Sequence, residues 1–343
     1  MRLRKLVMSA AGLTFSTMAL SSVPLVVTDI APIHSLVSQV MIGIAKPTLL
    51  IQPENSPHEY TLRPSEARAL SNADIVFWIG EDFTPWLEKS IDTLAESAES
   101  IALMEAQETT LYDFREGATF ETHSDHDDIE EHEEHEEHEE HEEHEEHEEH
   151  EEHEEHEEHE EHEEHEEHAH EGHDPHIWLD PVNAQAWVKK MAAVLAAKDP
   201  YNASRYHTNA DNAVARLEEL ITKNKAIANE LKMIKFIVFH DAYQYFERRF
   251  GLLASGAISI SDASDPSLAR VADIRKTVAD LGVSCVFTEP QFNSNMVESV
   301  FAGNDAITIG IIDPLGAALR PGENQYFELI DGMMSSLRKC QPS

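Results

Sequence analysis

Three histidines and one aspartate, far apart along the chain, have the residue types and positions of a metal site. His58 follows a predicted strand that ends near residue 51, His240 closes the apolar run FIVFH, and Asp313 follows the run ITIGII. The fourth residue, His176, lies in the segment DPHIWLDP. Ligands of open α/β sheets collect beyond the carboxyl ends of the strands. Because three imidazoles and one carboxylate can fill a tetrahedral zinc shell, the sequence predicts a zinc site made of these four side chains.

Each of these residues taken singly has a plainer interpretation. A lone histidine is more often a hydrogen-bonded structural residue, and an aspartate before a proline, as at Asp313, commonly forms a turn. Two other histidines are weaker candidates. His34, after the first strand, could face the cleft as a supporting residue at best, and His207 is predicted to lie on the surface of a helix.

A second group of histidines lies in a charged repeat. Residues 130–168 are thirteen Glu-Glu-His triplets, which hold 26 of the 66 acidic residues and 13 of the 22 histidines. Nitrogen and oxygen ligands at this density favour weak, flexible binding of borderline metals such as zinc, copper or nickel. A purely solvating acidic segment would not need histidine. The predicted low-affinity metal ligands are His132, His135, His138, His141, His144, His147, His150, His153, His156, His159, His162, His165 and His168.

The charge of the chain limits its partners. The formal net charge is -41, with 66 acidic residues against 25 basic ones. Nucleic acid is therefore excluded as a partner, because a phosphate backbone needs a basic surface to neutralise it. The charged region 117–173 contains almost no apolar residues and cannot offset the entropy of ordering. We expect it to be a disordered insertion.

The elements that must position the candidate ligands follow a βαβ rhythm. Short apolar runs typical of strands buried on both faces of a parallel sheet alternate with helix patterns. In the first half these runs lie at 23–30, 48–51, 75–79 and 100–104, with helices at 65–73 and 85–97. In the second half they lie at 236–239, 256–260, 284–288 and 307–312, with helices at 241–250, 266–281, 294–302 and 323–337.

Between the two series, residues 200–231 predict one long amphipathic helix. Apolar residues recur at spacings of three and four, and neither glycine nor proline follows Pro200. The predicted fold is therefore α/β, with two lobes that each contain a parallel sheet flanked by helices, joined by one long rigid helix. We predict a signal peptide at 1–22, an N-terminal lobe at 23–199 that contains the insertion 117–173, the connecting helix at 200–231 and a C-terminal lobe at 232–343.

The N-terminus predicts export. A charged start, MRLRK, precedes an apolar stretch at 6–20 and small residues at Ala19, Ser21 and Ser22, which is typical of a cleaved secretory signal peptide. The stretch is shorter than the roughly 20 apolar residues of a membrane span. No cysteine lies nearby for lipid attachment. The chain has only Cys285 and Cys340, which in an exported protein favours one disulfide over two thiols or metal ligation.

Four segments, taken in order, carry a resemblance to a known family: PHEYTLRPS at 57–65, DPHIWLDP at 174–181, FHDAY at 239–243 and TEPQF at 288–292. They resemble the signature segments of the ZnuA family, periplasmic zinc-binding proteins that supply an ABC importer. The likeness runs from about residue 23 to 340, interrupted by the charged insertion. It implies two parallel-sheet lobes, a rigid bridging helix and metal at the lobe interface. It also implies that the chain is no enzyme and that its partners are Zn²⁺ and an inner-membrane permease, with the chain itself a periplasmic monomer.

The resemblance also implies roles for single residues. His58, His176 and His240 match the three histidine ligands of the family, Asp313 matches its aspartate, and Cys285 with Cys340 matches its disulfide. One position departs, because some members carry a glutamate where this chain has Pro57. The fourth bond is then expected from Asp313 or water, with Glu59 a poorer substitute. Related manganese binders carry a carboxylate in place of His240, so three imidazoles favour zinc.

Two other functions could use the same residues. A secreted zinc hydrolase would use the three histidines with an open water position and Asp241 or Glu289 as general base. The sequence contains neither H-E-x-x-H nor G-x-S-x-G. A metal buffer would bind zinc only through the repeat 130–168. Deleting that repeat separates the buffer from a transport receptor.

Overall fold

Two parallel four-stranded sheets form the frame of the protein, as predicted. The computed structural model describes residues 22–58, 60–115, 119–120, 172–259, 267–292, 297–298, 300–301 and 307–340. Glu59, the thirteen repeat histidines and all of the predicted signal peptide except Ser22 lie outside these residues. So does most of the predicted insertion 117–173.

The first sheet has the strand order β2-β1-β3-β4, and every neighbouring pair is parallel. The central strands β1 and β3 are buried along their whole length, which explains why they read as apolar runs without alternation. The strands are β1 (Val26–Thr28), β2 (Thr48–Leu49), β3 (Ile75–Trp78) and β4 (Glu99–Ala102), and the helices between them are α1 (Ala31–Val40), α2 (Pro64–Ser71) and α3 (Pro85–Leu94).

Helix α4 (Pro181–Lys198) follows a short 3₁₀ turn (Ile177–Leu179) and precedes the connecting helix α5 (Ala203–Leu231). The connecting helix has 29 residues, or roughly 43 Å at 1.5 Å per residue. The apolar residues that were expected to form one face of this helix are buried, except Ile221 and Ile227, which are half-buried. The buried ones are Tyr206, Ala210, Ala213, Leu217, Leu220 and Leu231. The predicted long helix is therefore confirmed, although it begins three residues later than position 200.

The second sheet repeats the topology of the first, in the order β6-β5-β7-β8 and again parallel throughout. Of the predicted helix 294–302, only residues 297, 298, 300 and 301 are described. The strands are β5 (Phe236–His240), β6 (Gly256–Ser259), β7 (Cys285–Thr288) and β8 (Thr308–Ile311), and the helices are α6 (Gln244–Phe250), α7 (Leu268–Leu281) and α8 (Gln325–Arg338).

The last helix, α8, ties the two halves of the chain together. It packs against both α1 and the connecting helix α5. The Tyr326 amide donates to Ser35 Oγ at 3.0 Å, and the Tyr326 hydroxyl donates to the Trp178 carbonyl at 2.8 Å. One apolar core runs through the first sheet, the connecting helix and α8. The described helices include none long and apolar enough to cross a membrane.

Helices α1 and α4 were not predicted from the sequence. In α1, eight of the ten residues are buried, including Ser35 and Gln39, so the helix has no polar face to set a period of 3.6. Helix α4 begins with Pro181, the last residue of the segment DPHIWLDP that contains His176. Its N-cap is Asp180, whose side chain accepts from the Val182 amide at 2.8 Å.

Asp29 closes the first sheet at the point where its strand order reverses. Its two carboxylate oxygens accept from the amides of Ile30 and Ile79, each at 2.7 Å, so it joins the residues that follow β1 and β3. Burial raises the pKa of Asp29 to about 7, and the amide hydrogen bonds oppose that rise. At the point where the strand order of the first sheet reverses, Asp29 thus makes structural hydrogen bonds. The corresponding point of the second sheet carries His240.

Replacing Asp29 with asparagine should destabilise the fold. The amide group keeps one acceptor, but its NH₂ must face a backbone N–H, which leaves a buried donor unsatisfied at a cost of about 1–3 kcal/mol. Denaturant unfolding of Asp29→Asn measures this loss. Asp74→Asn is the control, because Asp74 bonds the Leu25 amide at 2.8 Å in an exposed position and should change stability by no more than about 0.5 kcal/mol. Equal losses in the two variants would contradict the assigned role.

Cys285 and Cys340 form the predicted disulfide, which joins the start of β7 to the second residue beyond α8. Both residues are buried. The bond closes a segment with a sequence separation of 55 residues, and because α8 also packs on the first half of the chain, it fixes the second sheet to the shared core.

Removing this disulfide with Cys285→Ala and Cys340→Ala should lower the free energy of unfolding by about 4 kcal/mol, because the unfolded chain regains the entropy of a loop of this length. Chemical denaturation of the oxidised wild type and the double variant measures the difference. Adding reductant should lower the stability of the wild type and leave the variant unchanged. An unchanged midpoint for the double variant would contradict the prediction.

Candidate metal centre

His240 stands at the carboxyl end of a central strand of the second sheet. It is the last residue of β5, and only 4% of its surface is exposed. Its Nδ1 lies 2.7 Å from Oε1 of Glu289, the residue directly after the neighbouring strand β7. Since the carboxyl ends of parallel strands meet at one edge of a sheet, the fold brings this imidazole and this carboxylate together.

His176 comes from the first half of the chain and is held by its own local turn. It caps the 3₁₀ turn and is buried. Asp174 Oδ1 accepts from the His176 amide at 3.0 Å and lies 2.7 Å from the His176 Nδ1. Burial raises the pKa of Asp174 to about 7, while the hydrogen bond from the His176 amide, Arg115 and Gln244 lower it.

The two imidazoles face each other through their other nitrogens. The Nε2 atoms of His176 and His240 are 3.4 Å apart. In the tautomer in which Nδ1 donates to the carboxylate behind the ring, the lone pair of each imidazole lies on Nε2. Two nitrogens bound at 2.0–2.1 Å to one tetrahedral zinc ion are separated by about 3.3 to 3.4 Å. The distance between the two rings therefore matches one edge of a zinc shell.

His58 completes a group of three imidazoles around one small cavity. Its ring centroid is 6.1 Å from that of His176 and 4.9 Å from the ring of Phe83. The loop that carries it is fixed by the Trp86 indole, which donates to the Pro57 carbonyl at 2.9 Å. The cavity volume is about 20 Å³, room for one ion or water molecule and not for an organic substrate. Its walls include His58, His176, His240, Phe83, Trp178 and Phe292.

Asp313 lies beside this cavity and does not line it. It follows β8, and its Oδ1 accepts from the Leu315 amide at 3.2 Å, the Gly316 amide at 2.8 Å and the Gln291 Nε2 at 3.3 Å. These bonds are those of a turn-forming aspartate. These bonds, from the part of the chain that the structure describes, all go to Oδ1, so Oδ2 is the oxygen that could turn toward an ion.

The remaining candidates lie elsewhere. His34 Nε2 is 3.3 Å from the Pro47 carbonyl, and burial lowers the pKa of its imidazole. His207 is exposed on the connecting helix, as predicted. Within the described ranges, no three His, Cys, Asp or Glu side chains already stand where they could hold a metal ion. The assignment of His58, His176, His240 and Asp313 as ligands therefore stays a prediction.

The two carboxylates behind the rings were not predicted in that role. Asp174 stands two residues before His176, and that short spacing is the signal that could have identified it. Glu289 was considered only as a general base. Its partner, His240, is 49 residues away in sequence, so only the pairing of β5 with β7 brings the two together.

Comparison with known proteins identifies close relatives. The high-affinity zinc uptake system protein ZnuA of Brucella abortus (strain 2308) is 45% identical over 320 residues, which cover 92% of this chain and 91% of the relative. The protein of the same description from Paracoccus denitrificans is 42% identical over 335 residues, covering 98% and 97% of the two chains.

Solved structures share the fold. A crystal structure of ZnuA superposes with a TM-score of 0.66 at 22% identity, covering 92% of this chain and 99% of the other. A zinc-bound deletion variant of ZnuA gives a TM-score of 0.68, also at 22% identity, covering 93% and 100%. The family model described as "Zinc-uptake complex component A periplasmic" matches residues 26–340. By this match and by the identity to its relatives, the chain belongs to the ZnuA family.

Proposed function

We propose that this protein captures Zn²⁺ in the cleft between its two sheets, with His58, His176 and His240 as ligands, and delivers the ion to the membrane permease of an ABC importer. The observation that carries the ligand assignment is the 3.4 Å separation of the His176 and His240 Nε2 atoms. Each ring is backed by a carboxylate at 2.7 Å, the arrangement that fixes the tautomer of metal-binding histidines.

The donor set favours zinc over harder ions. Imidazole suits zinc, whereas manganese prefers carboxylate and carbonyl oxygens. We assign the fourth position to Asp313 Oδ2 or to water. Glu59 lies outside the described residues, and Pro57 cannot supply an oxygen from its side chain. In the bound state Asp313 would keep its Oδ1 bonds to the turn and offer Oδ2 to the ion.

The packing of the helices limits the motions by which zinc could leave the site. The connecting helix and α8 pack into one core with α1, which opposes a wide hinge motion. We propose that contact with the permease loosens the ligands contributed by one half of the chain. The segment around His176 is the proposed site of that change. The proposed lobes are 23–199 and 232–343, joined by helix 200–231, and we propose that the chain acts as a monomer in the periplasm after cleavage of residues 1–22.

The hydrolase alternative lacks both space and a base. The cavity of about 20 Å³ holds no organic substrate. Glu289 is engaged by the His240 ring, and Asp241 is bound by the Arg115 guanidinium, Nε lying 3.0 Å from each oxygen. Neither carboxylate is placed to activate a water molecule. Membership of a family of solute-binding proteins agrees with this conclusion.

His240→Ala should weaken the tightest zinc site by at least about 100-fold, more than the 10- to 100-fold cost of losing a group that supports a ligand. Competition with a chelator of known affinity measures the change. His207→Ala is the control, since it removes an imidazole from an exposed position and should leave the affinity unchanged. Wild-type affinity in His240→Ala would refute the proposed ligand set.

Deleting residues 130–168 should remove the weak zinc sites and leave one tight site per chain. The tight site depends on residues of the two sheets and not on the repeat. Calorimetric titration of the full chain and the deletion variant counts the ions in each. Loss of all zinc binding on deletion would instead support the buffer function.

A further inference from the structure

One buried arginine links the two halves of the chain directly behind the candidate metal centre. Arg115 lies just before the charged insertion, and only 15% of its side chain is exposed. Its Nη1 donates to Glu247 Oε2 at 2.8 Å and its Nη2 to Glu247 Oε1 at 3.0 Å. Its Nε and Nη2 also donate to Asp241. All three guanidinium nitrogens are thus engaged by two carboxylates of the second half.

The guanidinium of Arg115 neutralises the two carboxylates that it contacts. Asp241 is 9% exposed and Glu247 is 1% exposed, so two neighbouring anions are almost removed from water. Without a cation between them, both burial and mutual repulsion would oppose this arrangement. The ring of Phe120 covers the guanidinium, with its centroid 3.7 Å from the Arg115 Cζ.

Asp241 connects this cluster to His240, a candidate ligand, because Asp241 directly follows His240 in the sequence. His240 is fixed on its N-terminal side by the ladder of β5. On the C-terminal side the chain leaves the strand at once, with the Ala242 amide donating to the His240 carbonyl at 3.0 Å. Arg115 holds the carboxylate of Asp241 at that exit, and thereby restrains the backbone on the C-terminal side of His240.

The segment that carries Arg115 also supports the other imidazole. The Tyr245 hydroxyl accepts from the Tyr112 amide at 2.9 Å and donates to the Asp174 carbonyl at 2.8 Å. The side-chain Nε2 of Gln244 donates to the Asp113 carbonyl at 3.0 Å and to Asp174 Oδ2 at 3.3 Å. Gln244 and Tyr245, at the start of α6, thus bridge residues 112–113 to Asp174, the residue whose carboxylate contacts His176.

We propose that Arg115 is a positioning residue for the zinc site, which sets the distance between His176 and His240 by holding Asp241 against the segment that supports Asp174. This inference rests on the proposed function, since it concerns the affinity of the same cleft. Among the described residues, the hydrogen bonds of Arg115 go to Asp241 and Glu247. Through Asp241 they reach the backbone that follows His240.

The chain offers a matched control for this role. Arg249 makes the same kind of paired contact with Asp180, with Nε to Oδ1 and Nη2 to Oδ2 both at 2.7 Å. Asp180 is 1% exposed and the Arg249 side chain 24%. This pair also joins α6 to the first half of the chain, but it ends on the N-cap of α4 and not beside His240.

The test compares Arg115→Met, Arg115→Lys and Arg249→Met in the full chain. Zinc affinity of the tightest site comes from chelator competition, and the ligand geometry from the visible absorption of one equivalent of Co²⁺. Arg115→Met should weaken zinc binding by about 10- to 100-fold, the range for groups that support metal ligands, and should alter the Co²⁺ spectrum. Arg115→Lys keeps the charge but not the fork, so its effect should be intermediate. Arg249→Met should lower the thermal stability without changing either zinc readout.

Wild-type zinc affinity and an unchanged Co²⁺ spectrum in Arg115→Met would overturn the inference. Equal weakening in Arg249→Met would also overturn it, because the effect would then be a general loss of packing. If Arg115→Met does not fold, Arg115→Lys decides by the same two readouts. His240→Ala, measured alongside, separates the two proposals. If it weakens binding while both Arg115 variants bind as wild type, only this inference fails. Wild-type binding by His240→Ala would refute the proposed function.

Discussion

The proposed metal centre depends on two imidazoles, His176 and His240, whose Nε2 atoms face each other and whose Nδ1 atoms each contact a carboxylate. Asp174 fixes His176 from the first half of the chain, and Glu289 fixes His240 from the second. With each Nδ1 proton directed at a carboxylate, both rings present lone pairs to the same point. This arrangement places two imidazole nitrogens at the spacing of two ligands of one zinc ion.

The rest of the fold keeps that arrangement in place. Residues that end or follow strands of both sheets line the cavity, among them Phe83, His240 and Glu289. The connecting helix and the last helix share one core with the first sheet. Because this frame is continuous, the distance between the rings is set by packing and not by a flexible hinge. In the proposed release step, the change falls on the segment around His176.

Much of this architecture could be predicted from the sequence, because the responsible signals are local. The apolar runs gave the positions of all eight described strands, and the spacing of Tyr206, Ala210 and Ala213 gave the long helix. Helix α1 was missed because it is buried on nearly every side. The role of Glu289 was missed because its pairing with His240 depends on which strands become neighbours. Asp313 illustrates the limit, since its sequence position suits both a ligand and the turn that the structure shows.

The most direct test is a crystal structure of the zinc-loaded chain, with anomalous scattering recorded at the zinc edge. Our account predicts one strong peak in the cleft, about 2.0 to 2.1 Å from the Nε2 atoms of His58, His176 and His240. The two carboxylates should remain on the Nδ1 atoms, and Asp313 or a water molecule should occupy the fourth position. A cleft without zinc, or an ion bound by fewer than three of these nitrogens, would contradict it.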